Sequence, residues 1–250
     1  MNRLAKIVIG IGIGIVAACL IGLIVTGWQI GWGPFRFLFK GYEGQVRAIE
    51  QKYDAETRKG EIVFYGASNF RLWKEMEDDF KEYKVQNHAF GGSTDPMLVE
   101  YADRLLFPYE PAIVVFQTGS NDFASMIGSD EAMLNASFSR KVEMFDAFHE
   151  RLPNAKFLVM SGLLLPGRSQ YIGITQRLNE KLEALCEQRD YMYFADASAL
   201  TFDGDAYAEE RFINDRIHLT HDARLLWCSE YIRPQLELII QEYQLDVVRK

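Results

Sequence analysis

The chain has 250 residues, 48% of them apolar, with 27 Lys and Arg against 35 Asp and Glu and a net charge of −8. That length accommodates one sizeable domain plus an appendage, and the apolar content is enough for a core. The first 40 residues carry four of the basic and none of the acidic residues, which leaves the rest at −12 and excludes the electrostatic footprint of a nucleic-acid binder. Three cysteines, at 19, 186 and 228, offer neither a disulfide framework nor metal-ligand spacing.

The appendage comes first. Residues 1–6 are a short tail with Arg3 and Lys6, and residues 7–28 follow without a single charge. As a helix that run is about 33 Å long, the thickness of a bilayer core, and it lacks the polar face of a soluble helix. It reads as an uncut transmembrane anchor. The stretch "VAAC" at 16–19 resembles a lipobox that would lipidate Cys19, but residues 20–25 stay apolar where a lipoprotein turns polar. Gly10, Gly14, Ala18 and Gly22 recur every fourth residue, a spacing that suits close approach of another helix, from a second copy or another membrane protein. Trp28, Trp32 and "FRFLFK" at 35–40 suit the headgroup region, and the basic tail favours a domain outside the cytoplasm. Residues 29–59 complete this interfacial segment, with a charged stalk helix over 41–59.

From residue 60 to 250 short apolar runs alternate with amphipathic stretches. Strands are expected at 61–66, 112–119, 156–163 and 191–196, with a weaker one at 84–90. Helices are expected at about 70–82, 96–107, 130–151, 171–189 and 220–243. Such alternation implies one α/β domain with a parallel sheet between helices, and ligands in folds of this kind bind beyond the carboxyl ends of the strands.

Four polar segments fall at that edge: "YGASN" after the first strand, "FGGST" after the second, "TGSND" after the third, and "NDRIHLTH" before the last helix. Ser68 needs a base to become a nucleophile, and His218 follows Asp215 by three residues, close enough for the carboxylate to hold the imidazole. His221 lacks an aspartate at that spacing; His88 and His149 read as surface or helix residues. The backbone N–H groups of Ser68 and Gly92 and the amide of Asn121 are candidate donors to an oxyanion. Asn69, Asp95 and Arg71 either line the pocket or brace the next helix, Arg216 and Arg224 either favour an anionic substrate or make surface ion pairs, and Asp122 reads as a loop brace. Trp73, Phe80 and Trp227 read as core.

These segments, in this order, resemble the four sequence blocks of the SGNH hydrolases, also called the GDSL esterases and lipases. Ser68, Gly92, Asn121 and His218 stand at the positions that name that family, and Asp215 fits its D-x-x-H pairing. The resemblance spans roughly residues 60–240. It departs where Ala67 stands for the usual aspartate before the serine, and where Arg216 stands for the glycine that often follows the last-block aspartate. The resemblance implies a flavodoxin-like three-layer α/β/α sandwich with a five-stranded parallel sheet, and a serine esterase that needs no metal or organic cofactor. It implies acyl-ester substrates such as O-acylated polysaccharide, lipid or small esters. An acyltransferase component working beside a membrane O-acyltransferase would use the same residues, and copurification of a multi-span membrane protein would distinguish it. A protein that kept the fold only to bind or scaffold is disfavoured by the complete residue set.

Overall fold

Five strands, four of them runs of mostly branched, aromatic and other apolar residues and the fifth Val85-Gln86-Asn87, form one all-parallel sheet in the computed structural model, which describes residues 42–249 and Gly22. The chain divides into two compact units, Met1–Arg47 and Ala48–Lys250, and the second holds the whole sheet. The span expected at 7–28, the interfacial residues 29–40 and the small-residue stripe lie outside the described residues, Gly22 excepted. Among the described residues no helix is long and apolar enough to cross a membrane.

After a helix α1 (Glu43–Lys52) come β1 (Ile62–Gly66), the one-turn helices α2 (Ser68–Arg71) and α3 (Met76–Asp79), β2 (Val85–Asn87) and α4 (Asp95–Leu105). Then follow β3 (Ile113–Gln117), α5 (Ser120–Ser125), α6 (Asp130–Arg151), β4 (Lys156–Met160), α7 (Ile172–Glu187) and β5 (Met192–Ala195). The chain closes with α8 (His221–Leu226), a π-helical stretch Trp227–Ile232, and α9 (Arg233–Tyr243). The sheet order is β2-β1-β3-β4-β5. Beyond β1 the order turns back, so the ends of β1 and β3 flank the switch point at which such sheets open a crevice.

Both faces of the sheet are covered, as the near-continuous apolar strands require. Ile62, Phe64, Ile113, Val115 and Leu158 point into one core with Phe70, Trp73, Phe80, Trp227 and Leu236. The alternate residues meet the other helix layer, where Tyr65 packs on Phe148, and Phe116 and Phe157 pack on Phe145. Trp73, Phe80 and Trp227 are core, as expected, with Phe70 and Trp73 stacked on Trp227 at 5.1 and 6.2 Å.

Three local expectations change. The helix expected at 70–82 is two single turns, because Asn87 Nδ2 donates to the Phe70 carbonyl at 2.7 Å and takes the acceptor that a continuing helix would use. The charged helix expected over 41–59 extends only to Lys52; beyond it, the Tyr53 hydroxyl accepts from Asn87 N–H and Arg58 donates to the Val85 carbonyl, which covers the open edge of β2. The last helix widens at 227–232 before Pro234, which has no N–H to donate to the Glu230 carbonyl.

Gly66 shows why β1 ends as it does. Its partner across the sheet is Gln117, and a Cβ there would sit 2.2 Å from the Gln117 carbonyl oxygen. Relieving that clash means parting β1 from β3. Gly66→Ala is therefore expected to lower stability by about 3 kcal/mol or more, read from a urea unfolding curve; an unchanged midpoint would contradict this packing.

Candidate active site

β1 delivers its chain directly into the site. Ala67 is extended, Ser68 opens α2, and the Ser68 hydroxyl lies 2.8 Å from His218 Nε2. The other imidazole nitrogen, Nδ1, is 2.6 Å from Asp215 Oδ2. The remaining oxygen, Asp215 Oδ1, accepts from the N–H groups of Ile217 at 2.9 Å and His218 at 3.0 Å. The three-residue spacing thus folds as a tight turn in which one carboxylate holds both the ring and the backbone of the same histidine. Burial works against the charge of Asp215. The hydrogen bonds from the His218 ring and from the N–H groups of His218 and Ile217 outweigh it and hold the carboxyl below its ordinary range. An ionised carboxylate only accepts, so the proton of the imidazole sits on Nδ1 and Nε2 is left to accept from the Ser68 hydroxyl.

Asn69, buried beside Ser68, accepts from Leu219 N–H through Oδ1 at 3.1 Å and so ties the nucleophile turn to the histidine loop. It also borders the pocket, whereas its side chain braces the histidine loop and not the next helix. That pocket is lined by Ala67, Ser68, Asn69, Gln117, Thr118, Gly119, Ser120 and Asn121, with Leu163, Leu165 and Ile217 as its apolar wall.

The donors are organised from β2 and β3. Gly92 has a φ of +78° and lies outside the pocket lining. The next residue ties its loop in place: Ser93 Oγ donates to the Gly66 carbonyl at 3.0 Å, and the Ser93 carbonyl accepts from Asn121 Nδ2 at 3.0 Å. Asn121 sits in the first turn of α5 and keeps a second N–H on Nδ2 for the pocket that it lines.

Beneath these loops is a buried charged cluster that sequence patterns did not announce. Lys141 of α6 is 1% exposed; its Nζ donates to Asp95 Oδ1 at 3.0 Å and to Thr118 Oγ1 at 2.5 Å. Thr118 donates to Asp95 Oδ1, and Asp122 Oδ1 accepts from the Asp95 N–H at 2.9 Å. Asp95 and Asp122 are therefore braces, locking the loop after β2 to the loop after β3. Burial, reinforced by the neighbouring Asp95 charge, pushes the Asp122 carboxyl up to about 7.

The folded protein holds a proton on Asp122 that the unfolded chain releases above the ordinary value of 3.8. This group's contribution to stability therefore falls as pH rises from about 4 to about 7 and stays lost above that. The melting temperature of the wild type should decline between pH 5 and pH 8 relative to Asp122→Asn, which keeps Oδ1 and cannot ionise. Parallel pH profiles would contradict the assignment.

Of the remaining candidates, Arg216 takes the surface ion pair that was one of its two readings, while Arg224 and His88 depart from theirs. Arg216 is turned away from the pocket: its φ is +58° and its guanidinium pairs with Glu209 through Nε at 3.0 Å and through Nη2. An exposed carboxylate seven residues upstream has claimed it, so it is not a pocket residue. Arg224 is buried in α8, not on the surface. His221 begins α8, with Nδ1 3.7 Å from Glu75 Oε2. His88 is fully buried, not at the surface, with Nδ1 2.5 Å from the Leu105 carbonyl, and burial pulls it down to about 4. Among the described residues no group of three His, Cys, Asp or Glu side chains is placed to hold a metal ion, and Cys186 and Cys228 are buried and free.

Residues 61–223 match the family described as GDSL-like Lipase/Acylhydrolase. The chain belongs to that family. It is an SGNH-type serine hydrolase, and its five-stranded parallel sheet is the fold that the sequence resemblance implied. No curated protein sequence matches the chain. Solved structures do. A protein of Streptococcus pneumoniae, provisionally described as a platelet activating factor, aligns with a TM-score of 0.64 at 14% identity over 90% of this chain and 98% of its own. A GDSL-like lipase from Bacteroides thetaiotaomicron aligns at 0.56 and 18%, covering 82% of this chain and 95% of its own. An acetyl esterase variant crystallised with acetate aligns at 0.55 and 14%, covering 74% and 99%. At such identities the likeness to these GDSL-type structures is one of fold.

Proposed function

We propose that the protein is a membrane-anchored serine esterase in which Ser68 is the nucleophile, His218 the base and Asp215 its partner. The observation that carries this reading is the unbroken relay from Asp215 Oδ2 through His218 to Ser68 Oγ, with links of 2.6 and 2.8 Å. His218 Nε2 takes the Ser68 proton as Oγ attacks the ester carbonyl. The tetrahedral oxyanion is held by the N–H of Ser68 and by the free N–H of Asn121; Gly92, outside the pocket lining, is left to shape the loop. The imidazolium, stabilised by Asp215, returns its proton to the departing alkoxide and leaves an acyl-Ser68. Water, deprotonated by His218, then releases the carboxylic acid. Anchoring through residues 7–28, with the domain outside the cytoplasm, rests on the uncharged 22-residue run and the basic tail before it. O-acylated envelope polysaccharide, lipid esters and small esters are the substrates within reach of such a domain.

The test is intact-mass and peptide analysis of the protein quenched during turnover of p-nitrophenyl acetate. One acetyl group on the peptide bearing Ser68 is the expected result. Turnover with no adduct there, or an adduct on another side chain, would remove Ser68 from its role.

A further inference from the structure

The oxyanion donor Asn121 is held at both ends of its amide. Nδ2 donates to the Ser93 carbonyl, and Oδ1 accepts from Arg168 Nη2 at 3.1 Å. A guanidinium only donates and a carbonyl only accepts, so the two partners together admit one orientation of the amide. The flipped amide would turn its oxygen toward the developing oxyanion. Arg168 also donates through Nη1 to the Ser120 carbonyl, one residue earlier, and so grips the first turn of α5 as well as the side chain.

Arg168 has no carboxylate partner among the described residues and is half-buried. Burial lowers its affinity for a proton without approaching neutrality, so the group stays charged. A full positive charge on Oδ1 polarises the amide and strengthens the remaining N–H of Nδ2 as a donor.

The residue before it reaches the other half of the site. Gly167 donates its N–H to the Arg216 carbonyl at 2.8 Å, and a Cβ on it would meet Ile217 Cγ1 at 2.7 Å and the Asp215 carbonyl at 2.9 Å. The 3-10 turn Pro166–Tyr171 therefore touches the loop of the base through Gly167 and the loop of the oxyanion donor through Arg168, whose backbone kinks at φ −139°, ψ 36° to turn between them.

We propose that Arg168 is a positioning residue of the oxyanion hole, acting through Asn121: it fixes the amide with Nδ2 toward the substrate and polarises it. The inference rests on the esterase reading above. It predicts a loss in kcat, because the oxyanion exists only after attack, with KM little changed.

The experiment compares full-length wild type, Ser68→Ala, Arg168→Met, Arg168→Gln, Asn121→Ala and the double variant Arg168→Met/Asn121→Ala on p-nitrophenyl acetate, with melting temperatures alongside. Loss of one oxyanion donor in other enzymes lowers kcat by about 10²–10³, and Asn121→Ala should fall in that range. Arg168→Met should lose about tenfold to a hundredfold in kcat, and the double variant should be no slower than Asn121→Ala alone. Should Arg168→Met fail to fold, Arg168→Gln carries the same comparison. A rise in KM with kcat unchanged would make Arg168 a substrate-binding residue, and full additivity in the double variant would show that it does not act through Asn121; either result overturns the inference. Equal hydrolysis by wild type and Ser68→Ala would overturn the esterase reading instead, so the two failures are separable.

Discussion

Ser68→Ala is expected to lower kcat for ester hydrolysis by about six powers of ten, the scale on which loss of a triad nucleophile acts elsewhere. The magnitude follows from what disappears. Without Oγ there is no covalent intermediate, and His218 is left 2.8 Å from a vanished partner, able only to assist a water that nothing positions. Ser68 is half-buried at the first turn of α2 and its hydroxyl has no role in the core, so the melting temperature should stay within a few degrees of wild type. Steady-state kinetics with a p-nitrophenyl ester, beside a thermal melt, reads both. A variant that keeps more than a hundredth of wild-type kcat would mean that hydrolysis proceeds elsewhere on the molecule.

Asp215→Asn should cost about four powers of ten in kcat, by a different route. An asparagine can still accept the N–H groups of Ile217 and His218 through one oxygen, so the turn survives. Its amide nitrogen, however, would donate toward Nδ1, which moves the imidazole proton to Nε2 and removes the acceptor that Ser68 needs. The imidazolium formed on attack would also lose its counter-charge. A variant with a wild-type melting temperature and kcat down by thousands is the expected pair of results. Full activity would show that Asp215 only shapes the loop.

The parts of the site that could be read in advance are those whose partners are local or stand at strand ends. Asp215 and His218 are three residues apart, and the ends of β1 and β3 bring Ser68 and Asn121 to one crevice once the order β2-β1-β3 is recognised. Arg168, Lys141 and Ser93 were not legible. Arg168 reaches Asn121 across 47 residues and Lys141 reaches Asp95 across 46, and both sit in stretches that otherwise read as a polar loop and a charged helix face. Of the two readings open for Arg216, the surface ion pair holds, because Glu209 competes for it outside the pocket. In the fold, the apolar strands and long helices followed from pattern, whereas the break in the 70–82 stretch depends on Asn87, a residue of another element.

The most direct measurement is labelling of the full-length protein by a fluorophosphonate, which phosphonylates an activated serine as Oγ displaces fluoride from phosphorus, with Ser68→Ala and His218→Ala as controls. Stoichiometric labelling of the wild type, mapped to Ser68, and none of either variant is the expected result. Labelling that persists in Ser68→Ala, or a folded wild type that takes no label, would contradict it.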